Sequence, residues 1–228
     1  MKNQKISFQT AGTSESLYPA EKENRPLVVL HVYSGDGRSV VGAMGEIGCG
    51  DCSLLVVGGL KWDHDMSPWF CPPPAGNTKP CTGGADAYLR VLLDEILPET
   101  LKRVPGTPSF FGIAGYSLAG LFALYAMYRT DRFSRAASVS GSFWFPGFAE
   151  YAKSRAPKHE PDRLYFSLGD TEAKTRSELM NTVQENTESL ARWYRTQGIP
   201  TTFELNPGGH FKDAAPRTAK GIAALVKE

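Results

Sequence analysis

The sequence has no excess of charge of either sign. Its 228 residues include 25 lysines and arginines and 24 aspartates and glutamates, which gives a net charge of +1. Because binding to a nucleic-acid backbone or to an anionic membrane depends on clustered positive charge, this balance argues against both partners. A small-molecule partner is expected instead.

The sequence also lacks a long hydrophobic run near its beginning. The first apolar run starts only near Leu27, and it is too short for a membrane span or for the apolar part of a secretory signal. We therefore expect a cytoplasmic protein. With 41% hydrophobic residues, the chain can bury a core without a metal or a disulfide, and residues 1–228 are expected to form one domain.

Cysteine is scarce, with four residues in the chain. Cys49 and Cys52 form a C-x-x-C pair, and Cys71 and Cys81 flank a proline-rich stretch. Four thiolates in one region suggest zinc, but zinc ribbons usually repeat the C-x-x-C pair and this chain does not. Reduced thiols are favoured, and a disulfide between Cys71 and Cys81 is the second reading. No metal and no cofactor is predicted.

Strand-like and helix-like segments alternate along the chain. Apolar runs predict strands at 26–33, 52–60, 109–116, 135–141, 163–169 and 199–206. Helical spacing of apolar residues predicts helices at 38–48, 85–103, 118–129, 178–198 and 214–228, with Pro98 bending or restarting the second. This alternation predicts an α/β fold with a mostly parallel sheet, helices on both faces, and ligands bound beyond the carboxyl ends of the strands.

Ser117 lies in "FGIAGYSLAGLF", where a predicted strand turns directly into a predicted helix. A nucleophile on so tight a turn has strained backbone angles and needs small neighbours. Gly115, Ala119 and Gly120 provide them, although Ala119 departs from the usual G-x-S-x-G pattern. The amide of Leu118 is then a natural oxyanion donor. The alternative is an ordinary strand-to-helix turn that happens to contain a serine.

The order of further candidates along the chain favours a serine, acid and histidine triad. Such hydrolases carry the acid after a late strand and the histidine after the last one. His210 follows the last predicted strand, and Asp170 and Glu172 follow the strand before it. Glu172 is favoured because it lies three residues past Gly169, which ends the strand, and because it has the longer reach. Asp170 stays open as the alternative acid.

Two loops after earlier strands are expected to complete the site. The turn after residues 26–33 offers the amides of Gly35, Asp36 and Gly37 as further oxyanion donors, although a plain glycine turn would use the same residues. The loop that begins at Lys61 is longer than structural loops usually are and is rich in aromatic and acidic side chains. The candidate substrate-binding residues are Trp62, Asp65, Trp69, Tyr116 and Trp144.

These segments together resemble the putative-esterase family of the α/β-hydrolases, which includes esterase D and enterochelin esterases. The resemblance covers most of the chain and rests on "HVYSGDG", "KWDHDMSPW", "GIAGYSLAGLFALYAMY", "SLGDTEAKTR" and "GGHFKD", among others. It implies a compact α/β-hydrolase fold without a large cap. It also implies Ser117 as nucleophile, His210 as base, Glu172 or Asp170 as acid, and a pocket lined by the three tryptophans named above.

The activity implied by this pattern is hydrolysis of a small ester through an acyl-enzyme. A siderophore lactone or an acyl sugar would suit the scaffold. An acyltransferase with the same triad is one alternative, and a non-catalytic binding protein on the same scaffold is another. The pattern predicts no particular oligomeric state.

Overall fold

A mixed β-sheet organises the molecule. The computed structural model describes residues 5–74 and 79–227. Within these residues an eight-stranded sheet has the order β1-β2-β4-β3-β7-β8-β9-β10, and β5 pairs separately with β6. The strands are β1 Ile6–Thr10, β2 Thr13–Tyr18, β3 Leu27–His31, β4 Ser53–Gly58, β5 Phe70–Cys71, β6 Cys81–Thr82, β7 Phe111–Tyr116, β8 Arg135–Val139, β9 Arg163–Gly169 and β10 Thr201–Asn206.

Most of the sheet is parallel. Strands β4, β3, β7, β8, β9 and β10 run parallel to one another. Strands β1 and β2 form an antiparallel hairpin, and β2 pairs with β4, also antiparallel. Every residue of β3 and β4 is buried, as expected for strands that are covered on both faces. The predicted mostly parallel sheet is therefore confirmed, while the hairpin was missed.

Helices cover both faces of the sheet, as predicted. They are α1 Arg38–Glu46, α2 Trp62–Asp65, α3 Ala85–Val91, α4 Leu97–Leu101, α5 Leu118–Ala126, α6 Phe148–Lys153, α7 Val183–Thr196 and α8 Ala214–Val226. Helices α1 and α8 pack on one face, and α3 to α7 supply the larger core on the other. No helix in the described ranges is both long enough and apolar enough to span a membrane.

The four cysteines are free thiols and lie in two separate places. Cys49 and Cys52 lie between α1 and β4, in the core on the α1 and α8 face. Cys71 and Cys81 face each other in register between β5 and β6, in the core on the opposite face, and do not form the disulfide considered above. The two pairs therefore make no common zinc site. Residues 5–74 and 79–227 contain no group of three or more histidine, cysteine, aspartate or glutamate side chains that could hold a metal ion.

Candidate active site

The turn between β7 and α5 consists of Ser117 alone. Its backbone has φ 59° and ψ −123°, a conformation that is strained for any residue other than glycine. The turn is tight because β7 and α5 touch: a Cβ atom at Gly115 would lie 2.2 Å from the carbonyl oxygen of Ala119. The small residues around the serine are therefore required for the turn, and the turn presents the hydroxyl at the carboxyl edge of the sheet.

A continuous set of hydrogen bonds joins Ser117, His210 and Glu172. The His210 Nε2 atom lies 3.0 Å from Ser117 Oγ, and Nδ1 lies 2.7 Å from Glu172 Oε2. With Nδ1–H donating to the carboxylate, Nε2 is left to accept the hydroxyl proton. The Glu172 side chain is 4% exposed and that of His210 is 31% exposed, so the carboxylate is enclosed while the imidazole reaches the surface.

The two oxygens of Glu172 have different partners. Oε1 accepts hydrogen bonds from the Gly169 N–H at 2.6 Å, from Ser140 Oγ at 2.7 Å and from Arg217 at 3.3 Å. Oε2 is thereby turned toward His210. Burial raises the pKa of Glu172, but the hydrogen bonds from His210 and Ser140 lower it by more, so the net pKa lies below its ordinary value. The group is therefore a carboxylate at neutral pH.

The other candidate acid, Asp170, holds the loop that carries the histidine. Its Oδ1 atom accepts the Gly208 N–H at 2.7 Å. Arg217 donates to the carbonyls on either side of Gly208, at 3.0 and 3.2 Å, and the Tyr116 hydroxyl donates to the carbonyl of His210. The hydroxyl of Tyr116, which was expected to bind substrate, is thus engaged with this loop.

Two backbone amides, one after β7 and one after the neighbouring strand β3, have no acceptor among the described residues. Leu118 is the first residue of α5, so its N–H has no partner within the helix. In the loop after β3, the Val32 N–H still donates to the Val57 carbonyl at 3.0 Å. The next amide, that of Tyr33, has no acceptor among the described residues. Tyr33 was not singled out from the sequence.

Residues 35–37 contact strands on the hairpin side of the sheet. The Asp36 carbonyl accepts the Tyr18 hydroxyl at 3.1 Å, and a Cβ at Gly37 would lie 2.5 Å from the Val56 side chain. These contacts are with β2 and β4, whereas Ser117 follows β7 on the other side of β3. The glycines of this stretch all have positive φ angles where they open the turn into α1.

The candidate aromatic residues form two groups. Trp62, in α2, meets the 75% exposed ring of Tyr33 edge-on, with the ring centroids 5.4 Å apart. Trp69 and Trp144 instead share one neighbour, Phe145, at 5.7 and 6.0 Å. The first group lies on the loops after β3 and β4, and the second packs against the segment between β8 and α6.

Asp65 is turned back onto its own helix. Its Oδ2 atom accepts the Lys61 N–H at 2.7 Å, at the start of α2. Partial burial raises the pKa of the Asp65 carboxyl group, and the Lys61 amide offsets part of that rise. The carboxylate expected to meet substrate therefore caps a helix in this structure.

Several residues that contact Ser117, His210 or Glu172 were not predicted from the sequence. They are Ser140, Ser142, Arg217 and Phe211. Ser142 Oγ lies 3.4 Å from Ser117 Oγ, and the 93% exposed ring of Phe211 lies edge-on to His210 at 5.1 Å. Only Arg217 carries a sequence signal, because it is a charged residue among the small and apolar positions that α8 buries.

A protein-family comparison covers most of the chain, including three residues of the candidate site. The family model described as "Putative esterase" matches residues 56–213, more than half of the chain. The matched range includes Ser117, Glu172 and His210, but it begins after β3 and the loop that contains Tyr33.

Curated relatives match parts of the chain. The "Uncharacterized protein YbbA" of Bacillus subtilis (strain 168) is 23% identical over 151 residues, which are 64% of this chain and 60% of that protein. The iron(III) enterobactin esterase of Dickeya dadantii (strain 3937) is 31% identical over 118 residues, which are 40% of this chain and 26% of that protein. The chain therefore spans less than two thirds of each relative.

Solved structures match almost the full chain. The siderophore hydrolase EstA from Aspergillus nidulans has a TM-score of 0.74 at 19% identity, covering 98% of this chain and 94% of that one. An IroE-like serine hydrolase from Shewanella oneidensis has a TM-score of 0.78 at 17% identity, covering 97% of this chain and 79% of that one. These likenesses confirm the predicted α/β-hydrolase fold.

Proposed function

Because this chain belongs to the "Putative esterase" family, we propose that it is a serine ester hydrolase in which Ser117 is the nucleophile, His210 the base and Glu172 the acid. The observation that carries this proposal is the hydrogen-bonded path from Ser117 Oγ through the imidazole to Glu172, with steps of 3.0 and 2.7 Å. A hydroxyl, an imidazole and a buried carboxylate in this order are the groups that acyl transfer requires.

In the first half of the reaction, Ser117 attacks the ester carbonyl while its proton moves to His210 Nε2. The Glu172 carboxylate holds the imidazole through Nδ1 and stabilises the positive charge that forms on it. The carbonyl oxygen becomes an oxyanion, and backbone N–H groups stabilise it. We assign one donor to the Leu118 amide and the second to the Tyr33 amide, in the loop after β3. The imidazolium then protonates the leaving alcohol, and an acyl-Ser117 remains.

In the second half, the neutral imidazole removes a proton from a water molecule, which attacks the acyl group. The same donors stabilise the second oxyanion. The proton on His210 then returns to Ser117 Oγ as the carboxylic acid leaves. The enzyme is restored without a metal or an organic cofactor taking part in the scheme.

We propose a small ester as the substrate. The near-zero net charge supports an uncharged or weakly charged partner over a polyanion. Because EstA is named a siderophore hydrolase and the Dickeya relative an iron(III) enterobactin esterase, siderophore esters are the first compounds to assay, followed by acylated sugars. Release of free acid and alcohol from one of these compounds, measured by chromatography, would identify the class.

The nucleophile is tested with a fluorophosphonate probe, which reacts covalently with an activated serine. We expect the wild-type protein to be labelled and Ser117→Ala to be unlabelled, with ester hydrolysis reduced on the order of 10⁶-fold. Ser142→Ala is the matched control, because Ser142 Oγ lies 3.4 Å from Ser117 Oγ, and it should keep the label. Labelling of Ser117→Ala at the wild-type rate would overturn the proposal.

A further inference from the structure

Arg217 is a fully buried cation beside the triad. It lies in the first turn of α8, and only 2% of it is exposed. Removing a guanidinium from water is costly unless a charge and hydrogen bonds compensate for it. Its surroundings therefore have to supply acceptors.

The acceptors come from both loops that build the triad. The Arg217 Nη1 atom lies 3.3 Å from Glu172 Oε1 and 3.2 Å from the Gly209 carbonyl oxygen. The Nη2 atom donates to the Pro207 carbonyl at 3.0 Å. One rigid planar group thus joins the carboxylate after β9 to the loop after β10 that carries His210.

The contact also decides which carboxylate oxygen faces the histidine. Oε1 of Glu172 is occupied by Arg217, Ser140 and the Gly169 amide, while the hydrogen bond of Oε2 goes to His210 Nδ1. The backbone makes room for this arrangement at Gly169, where a Cβ would lie 2.9 Å from Glu172 Oε1 and 3.0 Å from Arg217 Nη1.

We propose that Arg217 is a positioning residue for the triad, which orients Glu172 and fixes the His210 loop relative to it through one guanidinium group. The proposal rests on the serine hydrolase function proposed above. Arg217 does not touch the reacting atoms, and its effect passes through Glu172 and the loop backbone. A displacement of about 1 Å in such a group is enough to cost on the order of 100-fold in rate.

The test uses p-nitrophenyl acetate hydrolysis by Arg217→Met and Arg217→Lys. We expect Arg217→Met to lower kcat about 10- to 100-fold with little change in KM, because positioning of the base is lost and substrate contacts are kept. Arg217→Lys should be intermediate, since lysine keeps the charge but lacks the planar fork. Arg163→Met is the matched control, because Arg163 also donates to main-chain carbonyls, at the far end of α8, and it should keep the wild-type kcat.

A double-mutant cycle separates positioning from general packing. If Arg217 acts through Glu172, Arg217→Met should cost clearly less in a Glu172→Gln background than in the wild type. Equal losses in both backgrounds, or a change in KM alone, would overturn the proposal. If Arg217→Met does not fold, as judged by circular dichroism, the same cycle with Arg217→Lys decides. A wild-type protein that the fluorophosphonate probe fails to label would instead overturn the hydrolase function itself.

Discussion

Two carboxylates follow β9, and their surroundings give them different tasks. The Glu172 carboxylate is enclosed by donors and bonds to the His210 ring, whereas Asp170 bonds to the backbone of the histidine loop. In the proposed mechanism, a negative charge is needed only beside His210, where an imidazolium forms. The Gly208 amide needs an acceptor oxygen, which a neutral amide side chain also provides.

The first prediction follows from this difference. Glu172→Gln keeps the size of the side chain but removes the charge that stabilises the imidazolium, so kcat should fall on the order of 10⁴-fold. Asp170→Asn is the matched control and should change kcat little, because its Oδ1 atom still accepts the Gly208 N–H. The measurement is steady-state hydrolysis of p-nitrophenyl acetate. A larger loss in Asp170→Asn than in Glu172→Gln would exchange the two roles.

Single residues were predictable where the constraint on them is local in the sequence. The position of Ser117 between a strand and a helix was predictable because the strand, the small neighbours and the helix follow one another in consecutive residues. Arg217 and Ser140 were missed because their roles depend on contacts with Glu172 across 45 and 32 residues of chain. Neighbouring residues in the sequence do not indicate such a contact. The one local signal is the charge of Arg217 among the buried positions of α8.

At the scale of elements, the closeness of β7 and α5 supports the strained turn at Ser117. The second prediction concerns Gly115→Ala, whose Cβ would lie 2.2 Å from the Ala119 carbonyl oxygen. Since this is backbone, β7 and α5 have to separate, and we expect a loss of about 2–3 kcal/mol in unfolding free energy together with loss of fluorophosphonate labelling. Urea denaturation measures the first effect and gel fluorescence the second.

The matched control is a glycine that has space around it. Gly42 lies inside α1, and a Cβ there would meet no atom within 4 Å. Gly42→Ala should therefore raise the unfolding free energy by about 0.5–1 kcal/mol through its better helix propensity, without changing labelling. An active, stable Gly115→Ala variant would show that the turn does not need the close contact.

Strands and helices were predictable from the sequence where their burial produces a clear pattern of apolar residues. Strand β9 matches its predicted range, and β3 and β4 lie inside theirs, because strands covered on both faces read as apolar runs. The hairpin of β1 and β2 was missed because "ISFQT" and "TSESLY" are rich in serine and threonine and contain no apolar run. The predicted helix at 85–103 is divided into α3, a π-helical segment at Leu92–Ile96, and α4. Pro98 lies in the first turn of α4, which agrees with the expectation that it restarts the helix.

At the scale of the whole molecule, the pKa values of two carboxyl groups, Glu172 and Glu15, are shifted in opposite directions, and both shifts affect how stability changes with pH. The pKa of Glu172 lies below its ordinary value of 4.5, because hydrogen bonds from His210 and Ser140 outweigh burial. The pKa of Glu15, in β2, is raised because burial outweighs its hydrogen bond from Thr13. The folded chain therefore binds fewer protons than the unfolded chain at Glu172 and more at Glu15, and the two contributions to stability change with pH in opposite directions.

The third prediction is that these two groups can be separated by thermal unfolding between about pH 7 and about pH 3. The Glu172 contribution is present above its ordinary pKa and is lost as pH falls through the lower folded value, so Glu172→Gln should lose less Tm on acidification than the wild type. Glu15 gains stability as it is protonated, so Glu15→Gln should lose more. Each kcal/mol corresponds to about 2–4 °C in a chain of this size. Parallel Tm profiles for all three proteins would show that neither carboxyl group is coupled to folding.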